Sequence, residues 1–357
     1  MNSKERILAT LERKAVDRLP VDIWHTPEVI NSLKSHFDLD DEVSVWKAMG
    51  VDKIGWVFMD YAADDGIDTG SQVGGGAGGP RTMWGVPLKS VEAGDAHYDE
   101  FSDAPMKNMT DASEVSQYQW WPDPDRFKYD DALALAAKIS TDYAVIGPWV
   151  SLFEVYCQLR GIEQSLMDMA LYPELVDVIL DRIESIQTEM MTRFLQRASD
   201  TVDLVFISDD LGMQENLLMS PGMWKRFLEP RVKRWCELIH TFGKKVFYHS
   251  DGACEPLIQP LIDCGIDVLN PIQHVCPGMN PKELKEKYGD QVIFHGGVDN
   301  QNVLPFGSAD DVVKEVNMLM DSLGAGKEGY ICASCHNIQA GTPVENILAM
   351  VDTAKNM

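Results

Sequence analysis

The stretch KKVFYHSDG, residues 244–252, is a β-branched and aromatic run closed at once by His, Ser and Asp. Nearly continuous apolar runs of this kind are what strands look like when helices cover both faces of a parallel sheet. The same form recurs downstream as IDVLNPIQ (266–273), QVIFHGGVD (291–299) and EGYICASCH (328–336). Upstream it appears as VDLVFISDD (202–210), YAVIGPWV (143–150), KIGWVFMD (53–60) and RLPVDIWH (18–25). Helical patterns lie between the later runs. Ile183, Ile186, Met190 and Phe194 recur every three or four residues between Asp181 and Ala198. Ser220-Pro221 places a capping residue before a Pro at the first turn, and Pro230 must kink or break the helix begun there. Pro281 and Thr342-Pro343 open two more helices.

Eight strands alternating with helices predict an α/β chain folded as one (β/α)8 TIM barrel spanning residues 1–357. A doubly wound open sheet is the alternative, but no G-x-G-x-x-G follows any strand. The connection after strand 2, about residues 61–142, is too long for a barrel loop and is expected to be a lid-like insertion over the barrel mouth. It contains GGGAGGP, which lacks the Gly-Lys-Ser/Thr ending of a phosphate-binding loop.

Composition removes several function classes. The chain has 357 residues, 56 of them Asp or Glu and 31 Lys or Arg, for a formal net charge of −25. A surface this acidic repels phosphate backbones and anionic membranes, which argues against nucleic acid as a partner. No stretch approaches the roughly 18 consecutive apolar residues of a membrane span. MNSKERILATLERK lacks the apolar segment of a secretory leader, and seven scattered Cys suit reduced thiols, so the expected location is the cytoplasm.

Barrel chemistry sits at the C-terminal ends of the strands. The polar residues there are His25, Asp60, Asp209, Asp210, His249, Asp251, Gln273, His274, His295, Asp299, Cys335 and His336, and Glu154 follows strand 3 closely. His249 and Asp251 stand two apart, on one face of a strand. Such a pair holds a metal, acts as a base with its orienter, or is structural. In CASCH (332–336), Cys332 reads as strand core, while Cys335 or His336 reaches the mouth. Asp209 and Asp210 accept a proton, bind substrate, orient His249 or cap a helix. Cys157, Cys236, Cys254, Cys264 and Cys276 have no metal-ligand spacing and read as small buried hydrophobes.

These strand-end motifs bring a family into view. GPWVSLFEVYCQLRG, SDDLGMQ, HSDGAC, DVLNPIQ, FHGGVDNQNVLPFG and HNIQAGTPVENILAMV together resemble the uroporphyrinogen decarboxylase superfamily, and most closely its corrinoid-dependent methyltransferase branch. The decarboxylase branch carries an Arg-rich loop after the first strand, where this chain has DIWHTPEV and no Arg. A polycarboxylate substrate would lose its clamps there. Asp60 stands near the position of that branch's key carboxylate. The methyltransferase branch binds its metal with a His-x-Cys pair and a late Cys. Here the resemblance implies His249 and Asp251, with Asp in place of Cys, together with Cys335 or His336, and Glu154 as a further oxygen ligand.

The expectation is therefore a zinc-dependent enzyme that moves a methyl group between a small methylated compound, such as a methoxylated aromatic, and a corrinoid carried by a partner protein. Asp209 and Asp210 would assist catalysis, and His25, Gln273, His295 and Asp299 would contact substrate. A homodimer is implied by the same resemblance. The alternatives are a metal-free decarboxylase using Asp60 and a non-catalytic corrinoid- or metabolite-binding protein.

Overall fold

In the computed structural model, which describes residues 1–63, 68–71, 80–93, 96–198 and 200–357, seven strands form one parallel sheet. They are β1 (Ile54–Trp56), β2 (Ala144–Val150), β3 (Leu204–Ser208), β4 (Lys245–His249), β5 (Val268–Asn270), β6 (Ile293–His295) and β7 (Tyr330–Ile331), adjacent in that order. Each lies inside one of the predicted runs. Helices punctuate them where the sequence indicates. Pro173–Arg197 buries Ile183, Ile186, Met190 and Phe194. The Ser220 side chain accepts from the Met223 N–H and caps Pro221–Phe227. That helix stops at Leu228 and a new one runs from Glu229 to Thr241, because the ring of Pro230 cannot continue the ladder.

The eighth run, residues 20–26, closes the ring through bridges and side chains. Against the last strand it pairs by backbone alone: Cys332 N donates to Pro20 O (3.0 Å), Asp22 N to Cys332 O (2.8 Å), Ile338 N to Trp24 O (2.8 Å) and Thr26 N to Ile338 O (3.1 Å). Against β1 only Asp52 N to Val21 O (2.6 Å) is a backbone pair. Carboxylates replace the rest. Val21 N donates to Asp52 Oδ2 (3.0 Å) and Ile54 N to Asp22 Oδ1 (3.2 Å), while Lys53 Nζ reaches Ile23 O (2.7 Å). Asp52, fully buried, also receives Arg6 Nη1 (2.5 Å) and Arg18 Nη1 (2.6 Å). The barrel is thus a TIM barrel with one seam made by side chains.

Its interior is aromatic. Trp24 packs edge-on to Trp56 (centroids 5.0 Å), Trp56 edge-on to Phe206 (4.6 Å), and Phe206 against Phe247 (5.4 Å). These rings fill the barrel from strands on opposite sides, so it is a core and not a channel.

Between β1 and β2 the chain makes two antiparallel pairs, Asp60–Ala62 with Asp68–Ser71 and Leu88–Ala93 with Ala96–Phe101, then the helices Ala112–Ser116 and Tyr129–Ile139. Most of GGGAGGP lies outside the described residues. The stretch after Phe101 is anchored by Arg160, which is buried against Asp168 and donates to the carbonyls of Met106 and Met109. Met106 N in turn donates to Leu159 O (2.8 Å). No helix among the described residues is long and apolar enough to cross a membrane.

Removing one partner of a buried ion cluster leaves the others uncompensated. Asp52→Ala takes the shared carboxylate from Arg18 and from Arg6, which keeps Asp17, and leaves Val21 N without its acceptor; it is expected to cost about 3–5 kcal/mol in urea unfolding. A loss below about 1 kcal/mol would show that the seam does not depend on this carboxylate.

Candidate metal centre and adjoining cavity

Strand register builds the site. Ser208 lies opposite His249, and His249 opposite Asn270. With Leu269 opposite Phe294, the next residues along β5 and β6 are Asn270 and His295. Neighbours in parallel register share a face, so four polar residues form a row across the top of the barrel. Asp251, two beyond His249, and His336, beyond β7, join the row from above.

His249, Asp251 and His336 each offer one ligand atom, and these atoms lie within 4.8 Å of one another. The two imidazole rings are 5.5 Å apart. His336 Nε2 lies 4.0 Å from Asp251 Oδ2, and His249 Nε2 lies 3.8 Å from Asp210 Oδ1. The rings differ in how they are held. His249 is buried, stacks on Trp24 and bonds through Nδ1 to Asn270 Oδ1 (2.5 Å). His336 is 39% exposed and accepts the Asn337 N–H at Nδ1 (2.7 Å). Its proton therefore rests on Nε2, and the ring must turn or shift that proton to ligate through this nitrogen. Burial, with His249 nearby, pushes the pKa of His336 below the ordinary imidazole value.

Glu154 stands beside the cluster. Ser208 Oγ donates to its Oε1 at 2.6 Å. Burial raises its pKa well above the usual carboxylate range, and the charges of Asp210, Asp209 and Asp251 push the same way. Asp209 plays a different part from Asp210. Its Oδ1 accepts from Ser151 Oγ (2.9 Å) and from the backbone N–H groups of Leu152 (3.0 Å), Phe153 (2.6 Å) and Glu154 (3.1 Å). It caps the helix Phe153–Arg160 and so positions Glu154. Burial pushes its pKa up to about 7, against the pull of those donors. Asp210 is half exposed, and its Oδ1 accepts from Asp251 N (2.9 Å), joining the loops after β3 and β4.

A cavity of about 620 Å³ opens at Asp210 and Glu154. Phe153 and Ile162 line one side, and Phe101, Asp103 and Ala104 of the β1–β2 connection line another. Its described lining contains no Lys or Arg.

The other sequence candidates lie around this centre. His295 is fully buried, on the far side of Asn270 from His249. Gln273 Oε1 accepts from Gly252 N (2.8 Å) and its amide donates to Gln214 (3.1 Å), tying three strand-end loops together. Asp299 caps the turn at Gln301 and Asn302. His274 pairs with Glu315 (2.8 Å), and His25 with Glu42 (3.2 Å). Cys335 is buried and outside the three-ligand cluster, and burial raises its thiol pKa well above the ordinary value. Asp60 is on the first antiparallel pair, half exposed, with Lys128 at 3.9 Å. All seven cysteines are free. Sequence reading passed over Ser208, Asn270 and Asp22. The signal for Asp22 is a carboxylate in the middle of an apolar run, and for Asn270 an amide ending one.

The family model for uroporphyrinogen decarboxylase (URO-D) matches residues 101–357. The chain belongs to the uroporphyrinogen decarboxylase family. Among curated proteins it is similar to methylcobamide:CoM methyltransferase MtaA of Methanosarcina barkeri (strain Fusaro / DSM 804), 23% identical over 149 residues. That match covers 42% of this chain and 40% of the relative's length. Among solved structures, a methyltransferase from Methanosarcina mazei shares the fold at a TM-score of 0.70, covering 100% of this chain and 99% of that one at 16% identity.

The cap by Asp209 is testable. Asp209→Ala removes the acceptor of four donors and is expected to cost about 2–4 kcal/mol, with Asp209→Asn, which keeps Oδ1, costing less than half of that. The pH dependence has a definite sign. A carboxyl raised from 3.8 to about 7 in the folded protein binds its proton more tightly there, so its contribution to stability falls as pH rises through that window. Unfolding of wild type against Asp209→Asn from pH 4 to 7 should show the wild type losing ground. Parallel curves would place the carboxylate ionised throughout.

Proposed function

We propose that this chain is a zinc-dependent methyltransferase that moves a methyl group between a small methylated compound and a corrinoid carried on a separate protein. The observation that carries this reading is the three-residue cluster at the barrel mouth, standing beside a cavity of small-molecule size. Two imidazole nitrogens and one carboxylate oxygen with an open side make the donor set of a catalytic zinc, not of a closed structural site. His249, Asp251 and His336 would hold the ion, with the carboxylates of Asp210 and Glu154 close by as further oxygens. Bound there, zinc supplies Lewis acidity toward the heteroatom that the methyl group leaves. The absence of a thiolate from the set favours an ether or similar oxygen-linked methyl donor over a thiol.

The chain's own residues do the rest. Burial and the neighbouring carboxylates favour the protonated form of Glu154, and Ser208 holds its Oε1. Asp209 fixes its place by capping the helix that carries it. Asp210 joins the loops of β3 and β4 and faces His249. Phe153, Ile162 and the residue 101–104 wall supply apolar surface for the body of a methoxylated aromatic or similar molecule. We propose that the connection between β1 and β2, about residues 61–142, forms the lid. The acidic lining, without Lys or Arg among its described residues, opposes a polycarboxylate and so favours this reading over decarboxylation of a porphyrinogen.

Anaerobically purified protein should hold about one zinc per chain, and His249→Ala and Asp251→Ala should each lose it. Transfer to cob(I)alamin from a panel of methyl ethers should then appear in the wild type only. Glu154→Gln is expected to lower turnover by about 10²-fold if its proton is used. Full metal occupancy in both ligand variants, or no transfer from any ether, would overturn the assignment.

A further inference from the structure

Behind His249 runs a line of hydrogen bonds that ends on a charge. His249 Nδ1 meets Asn270 Oδ1 at 2.5 Å. Asn270 Nδ2 meets His295 Nδ1 at 2.8 Å. His295 Nε2 meets Asp22 Oδ2 at 3.1 Å. Asp22, Asn270 and His295 are each fully buried, so no water relieves a mismatched pair. Asp22 is well fixed. Its Oδ1 accepts from Ile23 N (2.7 Å) and Ile54 N (3.2 Å), with Lys53 Nζ at 3.5 Å. Its Oδ2 also accepts from the indole N–H of Trp24 (2.9 Å).

With His295 neutral, only one polarity satisfies every atom. An ionised Asp22 accepts and never donates, so the His295 proton must sit on Nε2. A neutral His295 then presents a bare Nδ1, which only the amide NH2 of Asn270 can fill. That turns the amide oxygen to His249, which must donate from Nδ1. Nε2 of His249 is left bare, facing the cluster. The charge states agree: burial works against ionisation of Asp22, but Lys53 and His295 outweigh it, and burial keeps the pKa of His295 low.

We propose that Asp22, acting through His295 and Asn270, fixes the proton of His249 on Nδ1 and so holds Nε2 bare toward the cluster it shares with Asp251 and His336. Asp22, His295 and Asn270 are positioning residues. The consequence for metal binding rests on the zinc reading above, whereas the tautomer does not.

Two isosteric substitutions test this. In Asp22→Asn the oxygen stays on the side with more donors, Ile23 N, Ile54 N and Lys53, and the indole N–H of Trp24 gives up its acceptor. The new NH2 then faces His295, whose proton moves to Nδ1. The Asn270 amide turns over and donates to His249 Nδ1, driving the His249 proton to Nε2. Adding Asn270→Asp returns the His249 proton to Nδ1, because a carboxylate at 270 accepts from both imidazoles. The ¹⁵N shifts of the His249 ring in metal-free protein should therefore report Nδ1–H in wild type, Nε2–H in Asp22→Asn and Nδ1–H again in the double variant. Zinc affinity, read by chelator competition, should fall by about 10–100-fold in Asp22→Asn and recover in the double variant. A purely structural role predicts that the second substitution adds to the damage of the first. An Nε2–H tautomer in wild type, or a double variant with affinity or tautomer no better than Asp22→Asn, would overturn the proposal. A wild type with the Nδ1–H tautomer that binds no zinc would leave the relay standing and remove the metal reading instead.

Discussion

The carboxylate of Asp22 sits at the seam where side chains take over most of the pairing between neighbouring strands. Everywhere else along the sheet, neighbouring strands meet through backbone ladders. Between residues 20–26 and β1 the ladder reduces to one bond, and Asp22 and Asp52 supply the missing acceptors. A buried carboxylate is tolerable only when it is surrounded by donors. Asp22 has two backbone N–H groups, an indole, an imidazole and a nearby ammonium around it. The same atom pair that closes the ring therefore also orders the polar row at its top. Strand closure and site geometry share a single buried charge.

Much of this architecture was legible in the sequence because it comes from alternation and punctuation. All eight strand runs fall where apolar stretches end in polar residues. The break before Pro230 and the cap at Ser220 are local chemistry and appear as local chemistry. His249 and Asp251 were legible for the same reason, since period two on a strand places them together whatever else the chain does. The resemblance to the URO-D superfamily rested on those same strand ends, and the match over residues 101–357 agrees with it.

The illegible part depended on distance in the chain. Whether Cys335 or His336 stands nearer to Asp251 is a matter of which way one loop turns, and spacing alone left both open. The structure brings the imidazole into the cluster and buries the thiol. Asp209 and Asp210 look equivalent as neighbours, yet one faces the helix after β2 and the other faces His249. Asp60 reads as a strand end, but the strand stops at Trp56 and the chain has already turned into an antiparallel pair. Asp22 and Asn270 gain their meaning only from register, since each bonds to a strand far away in sequence.

Besides Asp210, Gly212 and Leu218 of the loop after β3, the cavity has walls of two origins. One belongs to the helix that comes after β2. The other is residues 101–104, which Arg160 binds to that helix through the carbonyls of Met106 and Met109. The helix wall is tied to the strand register, since Ser208 donates to Glu154 and Asp209 caps that helix, whereas residues 101–104 take no part in it. The stretch from about residue 80 to 110 can therefore drift in length and composition while the barrel keeps its closure and the polar row its spacing. A lineage built this way can exchange one small molecule for another through a single loop, without passing through a broken fold.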